Sequence, residues 1–297
     1  LSARRGDYAA LLLLGATWGG SFMLIKLAVA TIPPLTVAAA RIVIGAVVIG
    51  LVAAAQGQRL GALRGAWLPI LAMGSLGTVL PFALIGWGET RIDSALAAIL
   101  MSAVPFATVV LAHFFVHDEP LSLAKMIGIA LGFAGVVVLI GPDALTQVGG
   151  VALAQLAVLL ATLCYAANGI VARRLRTIPS ESVAAGMLIA AAICGVPLSL
   201  VFDRPWTLAP SWPSIAALVA LGVLGTGVGY ILFFRIIARA GAGFASLNNY
   251  LVPLFGVLWG AVVLNERLEP RALVALLLIL AGIAAPRLLQ RFGPSGR

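Results

Sequence analysis

Apolar residues run along this chain in blocks of about twenty, the length a helix needs to cross a hydrocarbon layer about 30 Å thick. Breaking the pattern at Gly, Pro and charge clusters predicts ten spans, near residues 8–29, 34–55, 67–87, 94–116, 122–140, 149–171, 182–201, 212–234, 243–264 and 270–287. The connections, such as "TIPP", "GWGETRID" and "GPDALTQVGG", are short and leave no room for a soluble domain.

The pattern also repeats. When the second half is slid back by 145 to 148 residues, "TIPSESVAAG" at 177 meets "TIPPLTVAAA" at 31, "GVLGT" at 222 meets "GSLGT" at 74, and "LVPLFGVL" at 251 meets "AVPFATVV" at 103. "HDEPLS" and "NERLEP" each supply an E-x-L step before the next helix. Five spans per copy leave the second copy upside down relative to the first. Two copies so related are the architecture of many secondary transporters, whose site lies at the midplane between them. The expected fold is therefore an all-α membrane protein with ten transmembrane helices as two inverted five-helix repeats (5+5). Residues 1–7 form an N-terminal tail, 8–140 the first repeat, 141–148 a linker, 149–287 the second repeat and 288–297 a C-terminal tail.

Composition agrees with that class. A hydrophobic fraction of 62%, a charged fraction of 10% and a mean hydropathy of +1.12 leave too little polar surface to coat a water-soluble globule. The net charge of +9 is scattered between apolar runs instead of forming one basic stripe, which argues for topology and against nucleic acid as a partner. Thirteen Lys and Arg fall on the side of the two tails and five on the other, with Arg41 inside a span, so both termini are expected in the cytoplasm. Cys164 and Cys194 sit in separate apolar runs and read as buried reduced thiols. No small-residue cleavage site follows the first run, so a retained first span is expected.

"ATWGGSFMLIK" in the first span, "AAAR" in the second, the paired E-x-L steps and the 5+5 duplication together resemble the drug/metabolite transporter superfamily, specifically its EamA-type branch. The resemblance runs from about residue 8 to residue 287. It implies ten helices, no cofactor, and export of small metabolites across the inner membrane, with amino-acid exporters of the YddG type a prominent example. It also implies a central cavity lined by helices one, three, four, six, eight and nine, with five and ten peripheral. "CYAAN" is the second-half counterpart of "TWGG", so Trp18 meets Tyr165 as an aromatic only.

The midspan polar and aromatic residues are the candidates for a substrate site: Trp18, Ser21, Thr78, Phe82, Met101, Tyr165, Asn168, Thr226, Tyr230, Ser246, Asn248, Asn249 and Tyr250. An amide facing lipid would be left unsatisfied at a cost of several kcal/mol, so Asn248 and Asn249 face protein or water. They serve either as interhelical hydrogen-bonding groups or as cavity ligands. Being adjacent, they point about 100° apart on a helix and do not share one purpose. Pro105 and Pro253 free the carbonyls of Met101 and Asn249 and, placed alike in both copies, are candidate hinges. Arg41, a charge inside a span, either attracts a substrate carboxylate or clasps backbone carbonyls. Lys26 at the end of the first span reads as interfacial. Trp67, Trp87, Trp206 and Trp212 near span ends suit an interfacial belt.

All ten acids, Glu89 among them, lie at or near span ends, and none lies in the first helix, so facilitated diffusion without proton coupling stays open. His113 and His117, with Asp118 or Glu119, have metal-ligand spacing on one helix face, but a third ligand and the HExxH order are missing, and no metal is expected. A GxSxG elbow, a carboxylate pair within the spans and a phosphate loop are all lacking, which argues against an enzyme. The expected partners are a small-molecule substrate and the lipid bilayer. A multidrug or nucleotide-sugar exporter is the alternative within the superfamily and an intramembrane enzyme the alternative outside it; the solute, coupling ion and oligomeric state stay open.

Overall fold

A computed structural model describes residues 4–55, 63, 65–116, 121–141, 150–175 and 177–292. Those residues form helices joined by short connections, because in lipid every backbone N–H and C=O must find its partner within the segment. The helices are α1 (Arg5–Val29), α2 (Pro34–Ala55), α3 (Trp67–Glu89), α4 (Ser94–Phe115), α5 (Leu123–Ile140), α6 (Gly150–Leu175), α7 (Ser180–Phe202), α8 (Trp212–Ala240), α9 (Ala242–Val263) and α10 (Pro270–Phe292). Among the described residues, nine are long and apolar enough to cross a membrane, and Pro270–Pro286 of α10 forms a shorter apolar helix. Ten predicted spans thus correspond to ten helices, and the chain is a multi-pass all-α membrane protein. Residues 142–149, where most of the predicted linker falls, lie outside the described residues.

Small residues set how the helices meet, since between apolar helices in lipid close backbone approach replaces the hydrophobic effect. The antiparallel pair α5 and α10 is the plainest case. A Cβ built on Gly282 would lie 2.6 Å from the Gly128 carbonyl oxygen and 2.9 Å from the Gly132 nitrogen, and one on Gly135 would lie 2.9 Å from the Ala275 carbonyl oxygen. The parallel pair α1 and α9 packs Gly15 and Gly19 against Leu251, Val252 and Phe255, and the Trp259 indole donates to the Ala16 carbonyl at 3.1 Å. In α3 and α6, Gly88 lies on Ala154 and Val158, and Gly77 lies on Asn168. Other close pairs are α1 with α8, α2 with α7, α2 with α8, α3 with α7 and α4 with α6. Renaming α1–α5 as α6–α10 and the reverse carries this set of pairs onto itself. The peripheral place implied for helices five and ten is matched by α5 and α10, which pack chiefly on each other.

Four departures from regular helix occur where the sequence predicted unbroken spans. α3 contains a π turn at Ser75–Val79, and α8 contains one at Leu221–Val228. α4 breaks at Ser102 and Ala103, so that Pro105 falls in the first turn of a new segment, Val104–Phe115, where its missing N–H costs nothing. α9 breaks at Ser246 and Leu247, upstream of Pro253, which sits inside the continuing segment Asn248–Val263.

The two ends of the bundle differ. The first segment of α4, Ser94–Met101, is buried at six of eight positions, whereas Val104–Phe115 is buried at Ala112 alone. α9 packs on that first segment, and the second packs on α6 and α5. At the tight end, the Glu266 carboxylate accepts from the Ser94 and Ala95 backbone N–H groups at 2.8 and 2.9 Å and from the Ser94 hydroxyl at 3.0 Å. A carboxylate at a helix N-terminus satisfies free donors and complements the dipole. At the other end, Asn249 shares a helix face with the buried Pro253, Gly256 and Gly260, yet is exposed, since α9 packs on the first segment of α4 and not closely on the second.

Two outcomes follow from this packing. Gly282→Val forces a side chain into the α5–α10 seam and destabilises the fold by about 1–3 kcal/mol, read as a lower midpoint of thermal unfolding in detergent. Glu266→Ala strips charged hydrogen bonds from the start of α4 and costs about 2 kcal/mol by the same measurement, with Glu266→Gln in between.

Candidate functional site

The two π turns carry the same Leu-Gly-Thr step, and each lies against a polar residue from a neighbouring helix. A π turn opens the i→i+4 ladder and is frequent where helices carry function. In α8, Gly225 lies beneath the Ser21 hydroxyl of α1, whose oxygen would be 2.7 Å from a built Cβ. In α3, Gly77 lies beneath the Asn168 amide of α6, which occupies the place a Cβ would take. Only glycine permits these approaches. The residues that follow, Thr226 and Thr78, are both buried.

Around the α8 turn the polar groups are paired. The Trp18 indole donates to the Gly225 carbonyl at 3.0 Å, and the Ser21 hydroxyl to the Thr17 carbonyl at 3.0 Å. Arg41, 5% exposed, donates from Nε to the Thr226 hydroxyl at 3.2 Å, while its guanidinium carbon lies 3.7 Å from the centroid of the Phe82 ring. That is a desolvated cation–π contact of the stronger kind. Tyr165 and Tyr230 pack in the same apolar cluster as Phe82, and both lie within electrostatic reach of the guanidinium. Tyr230 meets Trp18 edge-on at 6.1 Å and stacks on Phe234 at 6.2 Å. Beside it, Ile49, Val52, Ala184 and Phe234 line a cavity between α2, α7 and α8.

Around the α3 turn the buried acceptors are unpaired. Thr78 Oγ1 and Asn168 Oδ1 have no hydrogen-bond partner. The repeat pairs Arg41 with Met187, which is buried, so one half presents a guanidinium where the other presents a thioether.

The structure thus gathers Trp18, Ser21, Arg41, Phe82, Tyr165, Thr226 and Tyr230 at one turn and Thr78 and Asn168 at the other. It sets Ser246, Asn248, Asn249 and Tyr250 apart, at the break in α9, and Met101 at the break in α4. The two amides divide as their spacing requires: Asn248 is 3% exposed with Oδ1 unpaired, and Asn249 is exposed. The Ser246 hydroxyl donates to the Gly243 carbonyl at 2.8 Å. Of the histidine cluster, His113 lies in the last turn of α4, and residues 117–119 lie outside the described residues.

Two residues near span ends turn toward the protein. Glu89, the last residue of α3, is 0% exposed. Lys26, half-buried, donates from its ammonium to the Glu89 and Ile92 carbonyls at 2.9 and 2.7 Å. Among the described residues no three His, Cys, Asp or Glu gather as metal ligands. What the site can do is hold a solute that both accepts from a guanidinium and donates to unpaired oxygens, between aromatic walls.

Comparison with known proteins supplies the family. The model of the EamA-like transporter family matches twice, over residues 6–141 and 152–285. The chain is 23% identical to an uncharacterized transporter, YoaV, of Bacillus subtilis (strain 168), over 90% of this chain and 91% of that one. It is 27% identical to a probable terminal-alkyne amino-acid exporter of Streptantibioticus cattleyicolor, over 92% and 91%. It is 28% identical to an S-adenosylmethionine/S-adenosylhomocysteine transporter of Chlamydia trachomatis serovar L2, over 87% and 82%. A solved crystal structure superposes with a TM-score of 0.70 at 22% identity, covering 99% of this chain and all of that one, which shows the shared fold. With both halves matched, the chain belongs to the EamA-like transporter family and is a membrane transporter, not an enzyme.

Proposed function

We propose that the chain exports amino acids across the inner membrane, by alternating access between inverted repeats α1–α5 and α6–α10, with both termini in the cytoplasm. The observation that carries this reading is the division of labour between the two π turns. Arg41 is a donor whose hydrogen bond among the described residues uses Nε, leaving the Nη end for a carboxylate. Thr78 Oγ1 and Asn168 Oδ1 are buried acceptors in want of a donor, which an ammonium supplies. Thr78 and Phe82 are one turn apart on α3, and the guanidinium lies on Phe82, so donor and acceptors flank the same stretch of α3. An α-amino carboxylate offers one charged group to each. Trp18, Tyr165 and Tyr230 then face its side chain, whose variety aromatic walls tolerate.

Supporting this, both named cargoes of the relatives, an amino acid and S-adenosylmethionine, contain an α-amino carboxylate. The exchange of helix pairs under renumbering suits two copies that swap conformations, and the closed end at Glu266 with the looser packing of α4 and α9 toward Asn249 suits one of the two resulting states. Placing the tails in the cytoplasm puts the Asn249 end on the inward side. The breaks at Ser102–Ala103 and Ser246–Leu247, near Pro105 and Pro253, supply the hinges.

Counterflow in proteoliposomes tests the reading: vesicles preloaded with unlabelled amino acid accumulate labelled amino acid faster than empty ones, and acceleration for no amino acid refutes it. Arg41→Met raises the half-saturating concentration about tenfold or more, the loss of one charged hydrogen bond of about 1.5–3 kcal/mol, and leaves competition by a carboxylate-free amine unchanged. Asn249→Ala slows uptake with folded yield intact, since Asn249 is exposed and lies outside the packed core.

A further inference from the structure

Glu89 is not accounted for by the site. Its carboxylate is 0% exposed, and neither oxygen has a hydrogen-bond partner. An ionised carboxylate so placed would bear the desolvation cost of a buried charge with nothing to offset it, and such a group takes up a proton instead. The charged groups around it do not neutralise it. Lys26 of α1 spends its ammonium on the carbonyls of Glu89 and Ile92. Arg41 of α2 bonds Thr226 and lies over Phe82, and neither Glu89 oxygen accepts from it. Glu266, in the α9–α10 connection, is an acid held by the start of α4 and supplies no positive charge. In the α3–α4 connection, Arg91 lies over Trp87 and is exposed, and Asp93 is a further acid. From α6 the neighbours of the Gly88 backbone are Ala154 and Val158, and the facing segment of α4, "SALAAILM", has no titratable side chain.

The same contacts that bury Glu89 close this end of the bundle. Lys26 binds Ile92 in the connection to α4, and Glu266 binds the first two residues of α4 itself. Moving α4 away from α1 and α9 therefore admits water to the carboxyl and frees the Lys26 ammonium to pair with it.

We infer that Glu89 is a proton-binding site linked to the gate: it holds a proton while the Glu266 end is closed and releases it to water when that end opens. No bond other than the O–H is made or broken, and the ligand is the proton. This deepens the two-ended carrier reading and rests on it, giving the cycle a chemical link between external acidity and opening.

The test uses the purified full-length chain in lipid nanodiscs, where both faces are in contact with solution. In infrared spectra, the parent shows a protonated-carboxyl band at neutral pH that Glu89→Gln lacks. In a background with Cys164 and Cys194 changed to Ala, the thiol of Ile92→Cys reacts with a maleimide several-fold faster, relative to that of exposed Thr90→Cys, as the solution is made alkaline. Adding Glu89→Gln holds the ratio at its acid value, and Glu89→Asp restores the rise, which separates lost titration from misfolding. A band unchanged in Glu89→Gln, or a ratio that climbs equally without the carboxyl, overturns the inference. Counterflow is not the readout, so that result leaves amino-acid transport standing, and a failure of counterflow leaves this one measurable.

Discussion

The rest of the molecule depends on one constraint: in hydrocarbon, a backbone N–H or C=O without a partner has no water to turn to. This forces the chain into helices, and the small residues then decide how near those helices come. At Gly128, Gly132, Gly135 and Gly282 the backbones themselves are the packing surface. The polar chemistry is confined to the few places where the constraint is locally relaxed, namely the two π turns, the breaks in α4 and α9, and the helix ends held by Glu266 and Lys26.

Those relaxations are arranged in kind. Gly77 and Gly225 accept Asn168 and Ser21 at matching positions, and Thr78 and Thr226 follow each. Yet the two turns carry opposite hydrogen-bonding needs, since the α8 turn faces a guanidinium and the α3 turn ends in unpaired acceptors. On the proposed reading, a shared backbone device with unlike side chains serves the two ends of a dipolar solute without a dedicated binding domain.

Much of this was legible in the chain. Hydropathy located the helices because a span is set by its own composition, and Arg41, Trp18, Tyr165 and Tyr230 stood out as midspan residues. The doubled "LGT" marked both turns, but the i→i+5 geometry did not show, because it arises when Asn168 and Ser21 press on Gly77 and Gly225 from other helices. The burial of Glu89 did not show for the same reason. It opens the polar "ETRID" connection, and Lys26 of α1 and the α6 residues packed on Gly88 are far away in sequence. Pro253 drew attention to the right part of α9, but the break falls earlier, at Ser246 and Leu247, where no proline stands.

Arg41 stands opposite Met187, so the duplicated core holds a lone fixed cation there. A passenger of zero net valence adds nothing to that cation, and the loaded and empty forms then feel the transmembrane voltage alike. An electric field of about 100 mV, worth about 2.3 kcal/mol per elementary charge, consequently does no work on such a passenger. Direction is left to concentration ratios and to any ion that travels with it.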